Sequence, residues 1–333
     1  MITAQAHPAQ PRWQQLWRDA VRDPRELLRL LDLPALASTL SDAATAQFPL
    51  RVPRGFVAKM RRGDPHDPLL RQVLPILDEE CIAPGFDLDA VGDAAARGAT
   101  GVIHKYAGRA LLVATGSCAV HCRYCFRRHF PYAEETAAAA RWTEALDYLR
   151  ADTGIEEVLL SGGDPLSLST AKLAEFSDGL ARIAHVRTLR IHTRLPVVLP
   201  ERVDAELLDW LRRLRQRLVI VIHANHADEL DAQVDAALDG LRTAGATLLN
   251  QSVLLRGVND DVDALAALSR RLFDAGVLPY YLHQLDRVAG TAHFEVGDDR
   301  ARALHTAMRE RLPGYLVPRL VREIAGEPSK TPV

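Results

Sequence analysis

Short apolar runs alternate with amphipathic segments from about residue 109 onward. Strand-like runs that each precede a helix-like segment predict repeated βαβ units, a parallel sheet and right-handed crossovers. The predicted strands are Ala110–Thr115, Glu157–Ser161, Thr188–Thr193, Leu218–His223, Thr247–Ser252 and Leu278–His283. The predicted helices are Ala138–Arg150, Ser169–Ala184, Asp204–Arg215, Ala227–Ala244 and Val262–Ala275, with Gly245 and Gly276 as C-terminal caps of the last two.

Six strand–helix units are too few for a complete eight-stranded barrel. We therefore expect an α/β fold built as a partial (β/α)6 open TIM-like barrel, with a doubly wound open sheet as the alternative. Helical periodicity over Trp13–Leu31 predicts one or two helices, and frequent prolines over residues 50–100 predict short helices and loops. The expected organisation is a helical N-terminal extension over 1–101, the barrel over 102–312, and a C-terminal segment over 313–333 that carries Lys330.

Polar and glycine residues follow the predicted strands. Ligands of parallel α/β folds bind at the carboxyl ends of the strands, so these residues should meet at one rim. They are Ser117–Cys125, Ser161–Asp164, His192–Arg194, His223–His226, Asn250–Ser252 and His283–Asp286.

Three of the four cysteines follow the first predicted strand in a C-x₃-C-x₂-C pattern: Cys118, Cys122 and Cys125. Three thiolates at this spacing can hold three corners of an iron–sulfur cluster and leave the fourth iron open for chemistry. The alternative is a zinc site completed by His121 or His129. It is disfavoured because zinc knuckles use paired C-x₂-C units and the chain has no second pair.

Composition argues against several other classes. The formal net charge of −2 provides no overall basic field for nucleic acid. Met1–Arg12 lacks the apolar region of a signal peptide, and no window approaches the roughly 18 apolar residues of a membrane span. Four cysteines, three of them clustered, are typical of a metal site in a reducing compartment. We expect a cytoplasmic protein that binds neither membrane nor nucleic acid.

The cysteine pattern after the first strand resembles the radical S-adenosylmethionine (SAM) superfamily. The resemblance implies that Cys118, Cys122 and Cys125 hold a 4Fe–4S cluster, whose fourth iron is chelated by SAM. One-electron reduction would then cleave SAM to a 5′-deoxyadenosyl radical. Ser161-Gly162-Gly163-Asp164 is similar to the superfamily's GGE-like motif, which holds the SAM amino group. His223 is a further candidate SAM contact, with a core histidine as the alternative.

A narrower resemblance, to lysine 2,3-aminomutases, covers the chain from about Val102 to its C-terminus. The segments that carry it are Cys118–Pro131, Ser161–Pro165, Thr193–Pro200, Asn250–Asp260 and Gly326–Val333. The resemblance implies that Lys330 forms a Schiff base with pyridoxal phosphate (PLP), whereas by composition alone it would be a solvated tail lysine. Such a lysine must lose its proton before it can attack a carbonyl group.

The same resemblance assigns the substrate contacts. Arg127 matches the arginine that pairs with the substrate carboxylate, a task that suits a bidentate guanidinium group. Asp286 and Glu323 match two acids that bind the ε-ammonium group of lysine, although the family has an aspartate where Glu323 stands. Without the resemblance, each of these three would be interpreted as a surface charge.

Two departures from the family narrow the expectation. Family members of lysine catabolism extend beyond the Lys-Thr-Pro loop and use that extension, with an upstream cysteine, for zinc and subunit exchange. This sequence has Asp261 at the cysteine position and stops three residues after Lys330. Zinc is therefore unexpected and a homo-oligomer is an open possibility. His129–Tyr132 and Glu327–Pro332 resemble the branch that makes β-lysine for modification of elongation factor P.

The sequence thus predicts a radical SAM, PLP-dependent L-lysine 2,3-aminomutase that converts L-α-lysine to β-lysine. The expected partners are a reductant such as flavodoxin or ferredoxin and, through the product, a ligase that acts on elongation factor P. Three alternatives remain: a radical SAM enzyme that acts on RNA or protein without PLP, a non-catalytic iron–sulfur protein, and an aminomutase for another amino acid such as glutamate.

Overall fold

The computed structural model describes residues 11–138 and 142–333. Within them, one sheet of ten strands has its strands in chain order. From β3 to β9 all neighbours are parallel, while β1, β2 and β10 pair antiparallel. The strands are β1 Arg97–Ala99, β2 Val102–Tyr106, β3 Arg109–Thr115, β4 Glu157–Gly162, β5 Thr188–Thr193, β6 Arg217–Ile222, β7 Thr247–Val253, β8 Leu278–His283, β9 Arg319–Arg322 and β10 Thr331–Pro332.

The strand order decides between the two predicted architectures. A doubly wound sheet reverses direction at a switch point, so neighbouring strands there are distant in sequence. Here every strand lies beside its predecessor in the chain, as in a TIM-like barrel. The partial barrel is therefore confirmed and the doubly wound alternative is wrong.

All six predicted strands form, as β3 to β8. The sheet also contains β1, β2, β9 and β10, which the sequence pattern did not indicate. The most consequential addition is β9, because it extends the parallel series through pairs such as Leu282 with Leu320. This strand brings the C-terminal segment into the barrel wall.

Four of the helices between the strands begin at side-chain caps. Ser169, Asp204, Asp231 and Asp261 each accept a hydrogen bond from a backbone N–H of the following first turn. Glycines in the left-handed region, at φ 98° and 74°, follow two helices as predicted, at Gly245 and Gly276. The helices that lie between the strands are α6 Thr143–Ala151, α7 Thr170–Leu180, α8 Leu195–Val198, α9 Ala205–Arg212, α10 Ala232–Thr243, α11 Val262–Asp274 and α12 Asp298–Arg311.

Helix boundaries differ from prediction in two places. The helix predicted from Ala138 begins at Thr143, and residues 139–141 lie outside the described residues. The helix predicted from Ala227 begins at Ala232, because Ala227–Glu229 forms a 3₁₀ turn and Asp231 caps the α-helix instead. Both α8 and α12 are additional helices.

The N-terminal extension packs directly on the barrel. It contains the two helices predicted over Trp13–Leu31, and its Phe56 and Leu69 share one hydrophobic cluster with Leu160 of β4 and Leu173 of α7. The predicted domain boundaries stay a prediction, and most of the segment Met1–Arg12 lies outside the described residues. The extension's helices are α1 Arg12–Arg18, α2 Pro24–Leu30, α3 Asp42–Gln47, α4 Arg54–Val57 and α5 Pro68–Arg71.

Across residues 11–138 and 142–333, no helix has the length and apolar character needed to cross a membrane.

Candidate active site

A cavity of about 550 Å³ occupies the barrel interior and reaches the carboxyl ends of its strands. Inward-facing residues of successive strands line it, as the alternation of side chains along a strand requires. Six residues singled out in the sequence line this one cavity, although they are spread over more than 200 positions. They are Arg127, Ser161, His223, Asp286, Glu323 and Lys330.

The cysteine segment lies between β3 and α6 and is held by the N-terminal extension. The N–H of Cys125 donates to the carbonyl of Cys122 at 3.0 Å, which folds the segment into a turn. The indole N–H of Trp17 donates to the carbonyl of Cys118 at 3.2 Å. The N–H of Arg123 donates to the carbonyl of Gln72 at 2.8 Å. The extension thus fixes the backbone that presents the thiols.

The three thiols are close enough to influence one another. Burial, with the neighbouring thiol of Cys122, raises the pKa of Cys125 to about 11. Burial also raises the pKa of Cys118 well above its usual range, together with Asp164 and the other two thiols. Without metal the thiols of Cys118 and Cys125 are therefore protonated, so iron must displace their protons to bind.

The thiols suit a cluster better than a single ion. No three His, Cys, Asp or Glu side chains among the described residues are arranged around one metal ion. In a 4Fe–4S cluster each cysteine binds a different iron, so the sulfurs need not converge on one point. The donor set, three thiols in one short segment, therefore fits three corners of such a cluster.

A buried ion network lies behind this segment, and we call Glu79, Arg123 and Arg128 the Glu79 cluster. Glu79 Oε2 lies 2.5 Å from Arg123 Nη2 and 2.7 Å from Arg128 Nη2. These side chains are at most 1% exposed. Arg123 also donates from Nη1 to the carbonyl of Phe48 at 2.5 Å and from Nη2 to that of Ala44 at 3.2 Å.

A second buried arginine contacts a cysteine directly. Arg194, just after β5, donates from Nη1 to Cys122 Sγ at 2.7 Å and to the hydroxyl of Tyr124 at 2.8 Å. Its Nη2 donates to Gln72 Oε1 at 2.7 Å and to Glu229 Oε2 at 2.9 Å. Donors to the cysteine sulfurs are one means by which a protein tunes the reduction potential of a cluster.

The two glycines after β4 are required by close packing. A Cβ atom at Gly162, which has φ 117°, would lie 2.6 Å from the carbonyl oxygen of Thr115. One at Gly163 would lie 2.5 Å from the carbonyl oxygen of Ser117. Any side chain here would push against the chain that leads into Cys118. The glycines thus position the cysteine segment, and contact with SAM stays a prediction.

Asp164 is bound by the protein itself. Its carboxylate accepts hydrogen bonds from the hydroxyl of Thr193 at 2.7 Å and from the N–H groups of Arg194, Leu195 and Leu166 at 2.7, 3.1 and 3.0 Å. Burial nonetheless raises its pKa to about 6. These bonds fix the segment that carries Arg194, and a role in binding SAM stays a prediction.

A chain of alternating charges crosses the upper cavity wall, and we call it the Glu323 chain: Arg127, Asp93, Lys105, Glu323 and Lys330. Arg127 Nε lies 2.7 Å from Asp93 Oδ2, and Asp93 Oδ1 lies 2.7 Å from Lys105 Nζ. Lys105 Nζ is 3.5 Å from Glu323 Oε1, and Glu323 Oε2 is 2.9 Å from Lys330 Nζ. Two predicted substrate residues therefore already have partners in the protein.

Asp286 is the third acid of this wall and differs from the others. No hydrogen bond or ion pair to its carboxylate is found within the described part of the chain. Burial raises its pKa to about 7, opposed by the nearby charges of Lys330 and Lys105 and reinforced by those of Glu323 and Asp93. This acceptor is therefore available to a ligand in the cavity.

Polar side chains without partners occupy the middle of the cavity. His192 Nδ1 lies 3.3 Å from His223 Nε2, but His192 Nε2, both ring nitrogens of His283 and Gln251 Oε1 have no hydrogen-bond partner among the described residues. Burial lowers the pKa of all three histidines, that of His223 to about 4. Neutral imidazoles with free nitrogens fit a ligand rich in hydroxyl and amino groups.

The lower end of the cavity is basic. Arg109, Arg190 and Arg319 line it, from β3, β5 and β9. Arg190 Nη2 lies 2.9 Å from Glu157 Oε2, while its buried Nε has no partner among the described residues. Guanidinium groups around one end of a cavity fit a phosphate group.

Sequence reasoning missed several residues of this site. Asp93, Lys105 and Tyr106 precede the first predicted strand, in a part of the chain where no motif indicated a role. Arg194 lies in a segment that was singled out, but its contact with Cys122 was not predicted. The available signal was its position at the carboxyl end of a predicted strand.

Comparison with known proteins points to one class of enzyme. Residues 112–268 match the radical SAM superfamily. The chain is 49% identical over 327 residues to the L-lysine 2,3-aminomutase of Escherichia coli, covering 98% of this chain and 95% of that protein. It is 46% identical over 319 residues to the L-lysine 2,3-aminomutase of Haemophilus influenzae, covering 96% and 94%. A radical SAM methyltransferase structure from Sphaerobacter thermophilus aligns at TM-score 0.46 and 17% identity, covering 66% and 68%.

Proposed function

Because the chain belongs to the L-lysine 2,3-aminomutase family of radical SAM enzymes, we propose that it converts L-α-lysine to β-lysine with PLP bound at Lys330. The family implies a 4Fe–4S cluster and SAM. When bound, these supply radical chemistry at an unactivated C–H bond, and PLP supplies a conjugated system for the migrating amino group. The protein's own part is to bind, orient and shield the reactants.

One observation carries the proposal. Candidate groups for both ends of an amino acid and for PLP line a single cavity: Arg127, Asp286 and Lys330. Arg127 uses Nε for Asp93 and Nη1 for Ser161 Oγ at 3.1 Å, and no bond from its Nη2 is found within the described residues. That nitrogen is available for a carboxylate, while Asp286 is available for a cation.

The choice of Lys330 also rests on its surroundings. The chain has four lysines, and two of them line the cavity, Lys105 and Lys330. The Lys105 amine is held by the carbonyl of Val91 at 2.6 Å, by Asp93 and by Glu323. The Lys330 amine has one ion-pair partner, Glu323, and its side chain is 23% exposed. Lys330 is thus the freer nucleophile of the two.

Groups of the cavity other than Lys330 are also suited to bind PLP. The basic end formed by Arg109, Arg190 and Arg319 would bind its phosphate, and the partner-free Arg190 Nε provides a donor there. Tyr281 lies beside Lys330, with its ring centroid 5.7 Å from the Lys330 amine, and offers an aromatic face to a planar ring. These groups fit PLP from its reactive end to its phosphate.

The charges of the wall favour a basic amino acid. An acidic substrate such as glutamate would place its second carboxylate against Asp286 and Glu323. Like charges at close range in a cavity are strongly unfavourable. Lysine supplies the opposite charge, and its ammonium group would have an acceptor in Asp286.

We extend the proposal to the fate of the product. The resemblance of His129–Tyr132 and Glu327–Pro332 to the branch that serves elongation factor P supports β-lysine as the substrate of a ligase acting on that factor. A reductant such as flavodoxin or ferredoxin would deliver the electron to the cluster. Incubating the ligase, elongation factor P and the purified reaction product tests the link by the mass of the modified factor.

The central test is anaerobic reconstitution with iron, sulfide and PLP, followed by incubation with reductant, SAM and single amino acids. We expect β-lysine from L-lysine and no β-amino acid from L-glutamate. Lys330→Ala should abolish both the visible absorbance of bound PLP and turnover. Lys172→Ala, a change at an exposed helix lysine, is the matched control and should retain both. Full activity in Lys330→Ala would overturn the PLP assignment.

A further inference from the structure

The arginine that follows β5 contacts a sulfur of the cysteine segment. Arg194 donates from Nη1 to Cys122 Sγ at 2.7 Å, and its side chain is 7% exposed. Within the described residues, no side-chain hydrogen bond to the sulfur of Cys118 or Cys125 is found. The three sulfurs therefore differ in their surroundings, because that of Cys122 has a buried cationic donor.

Arg194 is held in this position from four parts of the chain. Its Nη2 donates to Gln72 Oε1 of the N-terminal extension at 2.7 Å and lies 2.9 Å from Glu229 Oε2, beyond β6. Its Nη1 also donates to the hydroxyl of Tyr124, within the cysteine segment, at 2.8 Å. Its backbone N–H donates to Asp164 Oδ2, after β4, at 2.7 Å. The guanidinium group cannot turn away from the cysteine sulfur without breaking several buried hydrogen bonds.

The acid that pairs with Arg194 has partners of its own. Glu229 is fully buried, and its Oε1 accepts hydrogen bonds from the N–H groups of Asn225 and His226 at 2.9 and 3.1 Å. Its charge compensates that of Arg194, so the pair adds no net charge beside the cysteine segment. The feature that the pair adds is an N–H donor directed at one sulfur.

A hydrogen bond to a cysteine sulfur affects the reduction potential of an iron–sulfur cluster. Reduction adds one electron from an external reductant and forms or breaks no bond to the sulfur, but it increases the negative charge that the sulfurs share. A cationic donor stabilises negative charge on its acceptor, and more strongly where the local dielectric constant is low. Such a donor therefore stabilises the reduced state more than the oxidised state and raises the reduction potential.

We propose that Arg194 raises the reduction potential of the cluster through its hydrogen bond to Cys122, so that the electron of the reductant is accepted more readily. Arg194 is then a residue that acts through a cluster ligand, and its ion pair with Glu229 holds the donor in place. This inference rests on the proposed function, because it requires a 4Fe–4S cluster bound by Cys118, Cys122 and Cys125.

The test measures the midpoint potential of the cluster in full-length protein that has been reconstituted with iron, sulfide and PLP, without SAM. The reduced cluster is paramagnetic, so electron paramagnetic resonance reports its fraction at each applied potential. Arg194→Met retains an extended side chain and removes its donors, and it should lower the equilibrium constant for reduction by about tenfold. For a one-electron couple this is a fall of about 59 mV in the midpoint potential.

A double variant keeps the test decisive if Arg194→Met alone does not fold, since that change leaves Glu229 buried without its countercharge. Arg194→Met combined with Glu229→Gln removes both charges, and Gln retains an acceptor for the N–H groups of Asn225 and His226. Its equilibrium constant for reduction should still lie at least about threefold below that of wild type, because the donor to Cys122 is absent. Glu229→Gln alone keeps the donor and loses the negative charge, so its midpoint potential should rise.

Arg202→Met is the matched control. Arg202 is also a buried arginine after β5, and it donates to the backbone carbonyls of Leu166 and Leu168, with no bond to a cysteine found in the described part of the chain. Its replacement should lower stability to urea and leave the midpoint potential unchanged.

The possible failures are distinguishable. A wild-type midpoint potential in the double variant would overturn the role of Arg194 and leave the proposed function standing. A wild-type protein that, after reconstitution and reduction, shows no resonance of a reduced cluster would overturn the cluster assignment and with it the proposed function.

Discussion

The Glu79 cluster and the Glu323 chain both adjoin the cysteine segment, yet they differ in how the neighbouring acids are paired. In the Glu79 cluster, one buried carboxylate serves two buried arginines, which also donate to backbone carbonyls of the extension, of the cysteine segment and of the loop after β8. The Glu323 chain lines a cavity, and beside it Asp286 lacks any partner among the described residues. A buried acid is therefore paired with arginines in one region, whereas an acid in the other region remains available to a ligand.

The difference separates stabilisation from binding. A buried charge without a countercharge is costly, so a network that serves only the fold should pair every charge. A network that serves a ligand must keep acceptors and donors free, at a cost in stability that the ligand then offsets. The presence or absence of an acid without a partner, more than residue type, distinguishes the two regions.

The largest expected effect is at the Glu79 cluster. Glu79→Gln would leave Arg123 and Arg128 buried without a countercharge and should lower the free energy of unfolding by about 3–5 kcal/mol. Urea unfolding measures this loss, and iron content after reconstitution reports on the cysteine segment. Asp147→Asn, which breaks the exposed pair with Arg150, should cost less than about 1 kcal/mol. Equal, small losses in both variants would contradict the comparison.

An intermediate effect is expected from pH at the open acid. Burial raises the pKa of Asp286 to about 7. Below that pH the carboxyl is protonated, and an arriving ammonium group must displace the proton. L-Norleucine lacks the ε-ammonium group of L-lysine, so the ratio of its dissociation constant to that of L-lysine measures the preference for the cation. This preference for L-lysine should rise by up to about tenfold per pH unit toward pH 7 and level off above it.

Binding titrations of both ligands between about pH 5.5 and 8.5 would measure this profile. The charged groups that face Asp286 are Lys330, Lys105, Glu323 and Asp93. In Asp286→Asn the preference should be low and independent of pH. A wild-type preference that falls as pH rises would show that Asp286 does not bind the cation.

The smallest effect is expected at Tyr106. Tyr106→Phe removes one hydrogen bond to Glu323 and leaves the contacts with Lys330 and Lys105 in place. We expect a loss of about 1 kcal/mol in the free energy of unfolding and no change in the lysine preference, both measurable by the methods above. A large loss of the preference for L-lysine would show that the position of Glu323 affects binding of the substrate side chain.

Much of the fold was predictable because its central strands are packed against helices on one face and enclose the cavity with the other. Strand β6, for example, is a run of five apolar residues after Arg217, which singles it out in the sequence. In contrast, β9 has four residues with Arg319 and Arg322 at its ends, and β1 has only three. Such segments have too few positions to show a period, and their pairing depends on the sheet already formed beside them.

The site was predictable where it depends on local spacing. Cys118, Cys122 and Cys125 lie within eight residues, and Lys330 stands in a recognisable terminal motif. The partners of these groups were not predictable, because they come from distant parts of the chain. Tyr106 and Glu323, for example, are 217 positions apart. No periodicity or motif in the sequence indicates a contact that forms only when the barrel is folded.

The order of the ten strands leaves the barrel with a seam. Backbone hydrogen bonds join each neighbouring pair from β3 to β9, whereas β2 faces the end of β9 across the opening through Lys105 and Tyr106 on Glu323. Ladders of backbone bonds part cooperatively, but side-chain contacts part singly and at lower cost. We therefore expect the wall to open most easily beside Lys330, without parting any parallel strand pair.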